Sequence, residues 1–593
     1  MIKKIILFVA ITALLILFLY SENLKEIAAG VAILLFGMLF LEDGFKAFSG
    51  GPLQRLLKKT TDTLSKSLTF GIISTSLLQS SSLVSVITIS FMSAGLIELT
   101  SGIGIIFGAN LGTTTGAWLI SVFGLKVKIS SFALPLIVFG VIFILQSNKK
   151  LKGVGYCLAG IGFLFLGIHY MKEGFEAFQG SIDLKEYSIG GFWGLIIYTF
   201  IGIAATVIMQ SSHATLAIIL TALSTGQINY VDALSLAIGA NIGTTITALV
   251  GAMSSNISGK RLAGAHLIFN LVTGIVAIVL INQFKWIVDI LADSFGIAQT
   301  DYTLKLSIFH TIFNLVGVFI MIPFIHRLEI FLLRVYKEKK ADISQPRYLT
   351  DAAITYPDSA IPALLKETRH LFENSFEIIS HGINLHRRDI ISEEKLKAIV
   401  PFSVKDLEID IDEIYFRKIK ILYSKIVEFA TSVQANNLSE ENIKLIHHIK
   451  VANRYIVEII KGIKILQPNI TKFMVSENPY IRDEYHILRR RIAKVIREIY
   501  KAQSAEDIEF QHEQLLIQKR KANLHDVLVN GTLDRLIRER LITTEMATSL
   551  MNDSSLIATI CEKMIIISEL LYFHTDNIVF HERITVTETP NVA

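Results

Sequence analysis

Only two cysteines, Cys157 and Cys561, occur in 593 residues, and they lie in different halves of the chain. That excludes a disulfide framework and a CxxC metal site. No Gly-x4-Gly-Lys-Ser/Thr loop is present, so ATP is not the evident energy source. The Gly-x-Ser-x-Gly elbow of a hydrolase is missing too, and no catalytic constellation emerges, which argues against an enzyme. The net charge of +5 is too modest to mark a nucleic-acid binder. Strand-like patterning is confined to Ile584-Thr585-Val586-Thr587 near the tail.

What the chain has is apolar residues, 51% of the total, beside 18% charged ones. The two are segregated. Apolar runs dominate up to about Ile325, and from Arg327 onward Lys, Arg, Glu and Asp recur every few residues. A bilayer crossing takes about 20 apolar residues. The stretches 5–20, 27–46, 128–146, 153–178, 190–209, 260–283 and 303–326 qualify. Lys3 and Lys4 before an apolar run look like a secretory signal, but Ser21-Glu22-Asn23 is a poor cleavage site. Residues 1–26 are therefore read as an N-terminal transmembrane helix.

Between 66 and 125, and again between 205 and 257, the apolar runs are shorter and broken by polar residues. The interruptions match. Gln79-Ser80-Ser81-Ser82 is answered by Gln210-Ser211-Ser212-His213, at an offset of 210 − 79 = 131. Gly108-Ala109-Asn110-Leu111-Gly112-Thr113-Thr114 is answered by Gly239-Ala240-Asn241-Ile242-Gly243-Thr244-Thr245, again at 241 − 110 = 131. Upstream, Gly37, Gly44 and Gly50 recur as Gly167, Gly174 and Gly180, at 167 − 37 = 130. Three matched blocks in one order are an internal duplication. Interrupted segments at matching places in two halves point to a transporter's binding site. Non-helical backbone at membrane depth is tolerated only beside protein or a water-filled cavity. Each region is thus predicted to form a re-entrant hairpin plus a broken helix.

Short hydroxyls, a side-chain amide and the free N–H groups of a broken helix suit an oxyanion. Carbonyls and Ser/Thr oxygens at the same break suit Na⁺. The predicted substrate- and ion-binding set is Gln79, Ser80, Ser81, Ser82, Gln210, Ser211, Ser212 and His213, with Asn110, Thr113, Thr114, Asn241, Thr244 and Thr245. The competing reading of any one motif is helix–helix packing, where Ser and Gly let backbones approach. His266-Leu-Ile-Phe269-Asn270 and His310-Thr-Ile-Phe313-Asn314 share an HxxFN pattern that puts His and Asn on one helical face. They are read as buried interhelical bonding rather than substrate contact.

The paired motifs resemble those of the type II sodium–phosphate cotransporter family, whose two repeats each carry Gln-Ser-Ser-Ser. The likeness spans roughly residues 27 to 330. It implies an all-α membrane protein with an inverted-repeat transport domain over 27–340: repeat 1 about 27–150, repeat 2 about 155–283, and a closing helix 303–326. It further implies sodium-coupled transport of inorganic phosphate by alternating access, with Na⁺ as the coupling ion. The family's second motif ordinarily keeps Ser where this chain has His213. Residues 341–593 resemble a PhoU-type helical domain, whose acidic metal motif Asp406 and Asp410 match in outline. A divalent metal there competes with a solvated acidic helix face. That domain would be the place for a homo-oligomer contact or a regulatory protein.

Basic residues set the orientation. Lys3, Lys4, Arg55, Lys58, Lys59, Lys66, Lys149, Lys150, Lys152, Arg327 and Arg334 mark inside loops, while the acidic stretches 183–186 and 285–301 mark outside ones. The N-terminus and the C-terminal domain are therefore expected in the cytoplasm, on a multi-pass protein of the inner membrane, with the repeats inverted. Beyond residue 345 helices are predicted near 358–383, 393–435, 439–466, 478–522 and 526–573, with a break at Gln467-Pro468-Asn469. Residue chemistry alone equally admits another small oxyanion. A membrane-anchored phosphate-sensing regulator is the rival to a carrier, and a channel is the third option.

Overall fold

The computed structural model describes residues 21–48, 62–125, 129–179, 188–337, 344–354, 357–404, 407, 410–435, 438–503 and 507–573, with isolated positions between 11 and 19. The predicted helix 1–26, Asp406 and the 584–587 pattern lie wholly or mostly outside these residues. The chain divides into two compact units, Met1–Glu338 with Thr350–Ala352, and Lys339–Leu349 with Ala353–Ala593. Among the described residues the regular elements are all helical.

In the first unit seven helices are long and apolar enough to cross a membrane, among the described residues. Large apolar side chains on them such as Phe192, Trp193, Phe200, Ile208, Ile275 and Phe319 stand exposed. Exposure on that scale is the surface of a protein solvated by lipid. The span predicted at 128–146 is shorter than expected, a helix Ile129–Ile144 of 16 residues.

Both interrupted regions fold alike. In the first, α1 (Glu22–Phe48) leads to α2 (Leu64–Leu78), which reverses at Gln79-Ser80 into α3 (Ser81–Ser93). α4 (Leu99–Gly112) then breaks at Thr113 into α5 (Thr114–Trp118) and a wide π turn, Leu119–Gly124. α6 (Ile129–Ile144) follows. In the second, α7 (Lys149–Gln179) leads to α8 (Gly191–Met209), which reverses at Gln210-Ser211 into α9 (Ser212–Ser224). α10 (Tyr230–Gly243) then breaks at Thr244 into α11 (Thr245–Met253). α2 and α3, with 15 and 13 residues, are about 22 and 20 Å long at 1.5 Å per residue. Neither reaches across a hydrocarbon core of about 30 Å. The first predicted hairpin is therefore present as a helical hairpin that does not span the core, and the second repeats its turn with a longer first arm, α8, of 19 residues.

Glycine sets the spacing between these helices. α2 and α4 run side by side in parallel: a Cβ on Gly71 would lie 2.1 Å from the Ile105 carbonyl oxygen, and one on Gly108 2.0 Å from that of Leu68. In the second half Gly202 meets Leu236 at 2.2 Å and Gly239 meets Thr199 at 2.0 Å, each partner shifted by 131. α1 and α7 pack antiparallel along glycines seven apart: Gly30, Gly37 and Gly44 on one, Gly153, Gly160, Gly167 and Gly174 on the other. Their contacts are reciprocal. Gly30 lies against Gly167 and Met171, and Gly160, its equivalent, lies against Gly37 and Leu41. A face that meets its own copy in this way is related by a two-fold axis. Because the helices are antiparallel, that axis inverts the repeats.

The symmetry extends to two later helices. α12 (Ile257–Val279) packs on α10, α11 and α3, and α14 (Tyr302–Met321), reached through α13 (Ile281–Ser294), packs on α4, α5 and α9. Exchanging the repeats exchanges these environments, so the two HxxFN helices are two-fold mates although 310 − 266 = 44 separates them.

The second unit is a helical bundle built on α15 (Pro357–Gly382), α16 (Lys420–Gln434), α17 (Glu440–Phe473), α18 (Pro479–Gln503), α19 (Ile508–Leu524) and α20 (Thr544–Ser568). Four expectations fail here. The helices predicted over 478–522 and 526–573 are each two, Pro479–Gln503 with Ile508–Leu524 and Thr532–Arg538 with Thr544–Ser568. α17 runs through Pro468, because Leu466, Ile470 and Phe473 share a buried face in the core, and that burial outweighs the one hydrogen bond proline removes. The helix predicted over 393–435 is instead two helical runs among the described residues, Leu396–Phe402 and Ile411–Gln434. Val400–Phe402 closes the first run as a 3-10 turn, and the chain leaves the helical conformation at Ser403, φ −87° and ψ 72°. Inside the bundle the Arg489 guanidinium, fully buried, donates to the carbonyls of Ile383, Asn384, Val400 and Ser403.

Candidate functional site

Each motif turn rests on a strained residue. Gln79 and Gln210 cap α2 and α8 in the left-handed region, at φ 50° and 53°. Glycine would take that conformation freely, and another residue there costs about 1–3 kcal/mol unless its surroundings enforce it. A glutamine kept at both places points to a use for its side chain. Ser80 and Ser211 come next as N-caps, their hydroxyls accepting from Leu83 N and Ala214 N at 3.2 Å each. The N–H groups at Ser81, Ser82, Ser212 and His213 belong to the first turns of α3 and α9, where no helical carbonyl precedes them.

The two turns dock crosswise. In one direction, Thr247 Oγ1 on α11 donates to Ser82 Oγ at 3.0 Å, joining the first motif to the second broken helix. In the other, His213 packs on Gly116 of α5: a Cβ on that glycine would fall 2.2 Å from the imidazole Cδ2 and 2.3 Å from Nε2. Gly116 and Thr247 are equivalent positions (247 − 116 = 131), as are Ser82 and His213. A small hydroxyl faces a threonine on one side, and an imidazole faces a missing side chain on the other.

Around these contacts lie two small cavities that share His213. One is lined by Thr113, Ser212, His213, Asn241 and His310, the other by Met38, Gln79, Gly116 and Leu119. Neither is lined by Asp, Glu, Lys or Arg. Gln79 Nε2 donates to the Ser76 carbonyl at 2.5 Å and to Thr115 Oγ1 at 3.1 Å, pinning the first turn to the first broken helix. Asn241 Nδ2 donates to Asn270 Oδ1 at 3.4 Å and Asn314 Oδ1 at 3.2 Å, and Asn270 Nδ2 returns a bond to the Asn241 carbonyl at 2.9 Å. The asparagines of both HxxFN helices thus converge on the second broken helix, as interhelical bonding requires. The histidines behave otherwise: both ring nitrogens of His266 and Nδ1 of His310 are buried without a partner.

Not every predicted residue reaches the centre. Asn110 Nδ2 donates to the Ile106 carbonyl, and Thr114, Thr244 and Thr245 donate to Leu111, Ala240 and Ile242, so their donors brace their own helices. Thr113 Oγ1 donates to the Asn110 carbonyl and still lines the first cavity. Ser81 is buried, whereas Gln210 is exposed. Thr115, Gly116, Thr247 and His310 belong to the site and were not among the predicted residues. In the second unit Asp410 caps a short helix by accepting from Glu413 N at 3.0 Å. No cluster of three or more His, Cys, Asp or Glu side chains suited to a metal ion occurs among the described residues.

The Na⁺/Pi-cotransporter family model matches residues 33–173 and 195–323, each stretch holding one motif turn. YqeW, an uncharacterized protein of Bacillus subtilis strain 168, is 27% identical over 303 residues, 51% of this chain and 94% of its own length. A protein of Escherichia coli K12 named "Putative inorganic phosphate export protein YjbB" is 24% identical over 423 residues, 71% of this chain and 73% of its own. The Salmonella typhimurium LT2 protein of the same name is 25% identical over 349 residues, 58% and 62% of the two chains. No solved structure matches the chain. Through its membrane unit the chain is similar to the Na⁺/Pi-cotransporter family of membrane transporters.

Proposed function

We propose that the protein carries inorganic phosphate across the cytoplasmic membrane by sodium-coupled alternating access. The observation that carries this reading is the crosswise docking of the two motif turns, Ser82 on Thr247 and His213 on Gly116. It sets the Gln79 turn of the first repeat and the N-terminus of α9 of the second around two cavities lined by no charged side chain. Helix N-termini favour an anion there. The last carbonyls of α2 and α8, left without helical partners at the Gln79 and Gln210 turns, suit a hard cation beside it. Na⁺ bound at those ends offsets phosphate charge and completes the phosphate site, which couples the two. Gln79, Ser80, Ser81, Ser82, Gln210, Ser211, Ser212 and His213 form the binding set, with Thr113 and Asn241 lining it and Asn110, Thr114, Thr244 and Thr245 bracing the breaks.

Because each turn leans on the opposite repeat, opening the site to one side means separating one crosswise pair while the other stays shut. The basic flanks Lys149, Lys150, Lys152, Arg327 and Arg334 support a cytoplasmic N-terminus and second unit. The second unit acts there as a PhoU-like regulatory domain, and the relatives' names favour phosphate export as the physiological direction. Purified protein in proteoliposomes decides the matter. An imposed sodium gradient should drive labelled phosphate to accumulate beyond equilibrium. Equilibration without accumulation would make it a channel, and binding without movement a receptor.

A further inference from the structure

The geometry points to His213 as a specificity-determining contact: its Nε2 accepts the P–OH hydrogen of phosphate, so the site selects an oxyanion that retains a hydroxyl. This rests on the reading of the site as a phosphate site and adds which form of anion it takes.

His213 and its neighbours leave an acceptor unsatisfied. The ring donates a hydrogen bond to the Thr113 backbone, while Nε2, buried, has no partner. A neutral imidazole with one N–H donor carries a lone pair on its other nitrogen. The side chain is 8% exposed and borders both cavities. What faces it is Thr113 on the first broken helix, Asn241 on the second, His310 on α14 and Gln79 at the first turn, and none of these is a carboxylate or a permanent cation. The Gln79 amide has committed Nε2–H to Ser76 and Thr115, which turns its Oε1 toward the same niche. Gln79 and His213 line the same small cavity beside Gly116, whose missing side chain makes room for the imidazole. Two acceptors therefore border one cavity whose other lining side chains offer no donor.

Such a niche asks its ligand for a donor. At neutral pH phosphate keeps at least one P–OH, whereas sulfate and fluorophosphate have none. An anion without a hydroxyl leaves buried acceptors unpaired, and sites built to bond a substrate hydroxyl reject analogues that lack it. The helix N-termini supply attraction to any oxyanion, and the acceptor pair supplies the choice. The first repeat has no equivalent device, since Ser82 and Thr247 satisfy each other there.

The test uses the full-length protein in proteoliposomes at neutral pH, with labelled phosphate uptake competed by phosphate, fluorophosphate and sulfate. For the wild type, fluorophosphate should compete at least about tenfold more weakly than phosphate. The double variant His213→Ser/Gly116→Thr installs the pairing of the first repeat. Its uptake should fall through weaker phosphate binding, and in what remains the gap should narrow to less than about threefold. Fluorophosphate competing as well as phosphate in the wild type overturns the inference while leaving phosphate transport standing. A double variant that keeps the wild-type gap overturns it too and makes His213 a space-filler. Should the variant fail to fold, the wild-type competition series decides alone. A wild type that accumulates no phosphate overturns both this inference and the function it rests on.

Discussion

The first repeat ties its motif glutamine down, and the second does not. Gln79 is partly buried and bonded to Thr115, while Gln210, in the same left-handed turn, is exposed. The backbones differ by 3° in φ at these residues, yet one side chain is committed and the other free. Glycine contacts and caps fix the shape of the turns, and a few side chains fix what the turns hold. Symmetry is thus a property of the scaffold, and asymmetry enters within a repeat, where Thr115 holds Gln79 and its counterpart Ile246 has no hydroxyl (246 − 115 = 131), as well as where the halves touch crosswise.

The largest effect should come where the repeats agree. Gly108→Val and Gly239→Val each drive a side chain into a carbonyl oxygen 2.0 Å from the Cβ position. Each should cost at least about 3 kcal/mol, because backbone cannot yield as a flexible side chain does. Thermal unfolding in detergent, read by size-exclusion chromatography, should show equal losses. Tolerance of one and collapse of the other would break the symmetry claimed for the scaffold.

Next come the glutamines. Gln79→Ala removes the amide that bridges α2 to α5 and should cost about 1–3 kcal/mol in apparent phosphate affinity, a rise in KM of roughly 5- to 150-fold. Gln210→Ala should cost markedly less. Equal losses in uptake would show that Gln210 engages ligand in another conformation of the cycle.

A smaller effect belongs to the hydroxyl pair. Ser82→Ala and Thr247→Val should each lower stability by about 1 kcal/mol, and the double variant should lose little more than either alone. Strictly additive losses would mean that the 3.0 Å contact contributes nothing. Smallest of all, Gln79→Gly and Gln210→Gly should raise the unfolding midpoint slightly, by relief of roughly 1 kcal/mol of backbone strain. Uptake should nevertheless fall in Gln79→Gly. A lowered midpoint would show that the side chain holds the turn together.

Much of this architecture was readable in the residue order. Offsets of 130 and 131 announced the duplication, and polar blocks inside apolar sequence announced the hairpins and broken helices. The left-handed glutamines were not readable, since the residue type normally found at positive φ is glycine. Nor was the crosswise docking, because it joins residues 165 positions apart, as Thr247 and Ser82 are. Once that contact is known, the divergence of Ser82 from His213 and of Gly116 from Thr247 becomes one exchange instead of two. The HxxFN patterns read as buried interhelical bonding, which holds for the asparagines and not for His310, which borders the cavity. Pro468 misled because proline's local effect is visible in sequence and the buried face that overrides it is not.

The reciprocal glycine seam between α1 and α7 has a consequence for ancestry. A half-length chain with one such ladder already owns a face complementary to itself, so two copies inserted in opposite senses would pair through it. Fusing the copies turns that meeting into an intramolecular one, at an effective concentration no free pair reaches. A fused pair also escapes a constraint that binds identical subunits, in which every change appears twice. After fusion a histidine can be gained on one side and its space cleared on the other, while the opposite half keeps its serine. The seam is the part that had to stay the same for the rest to become different.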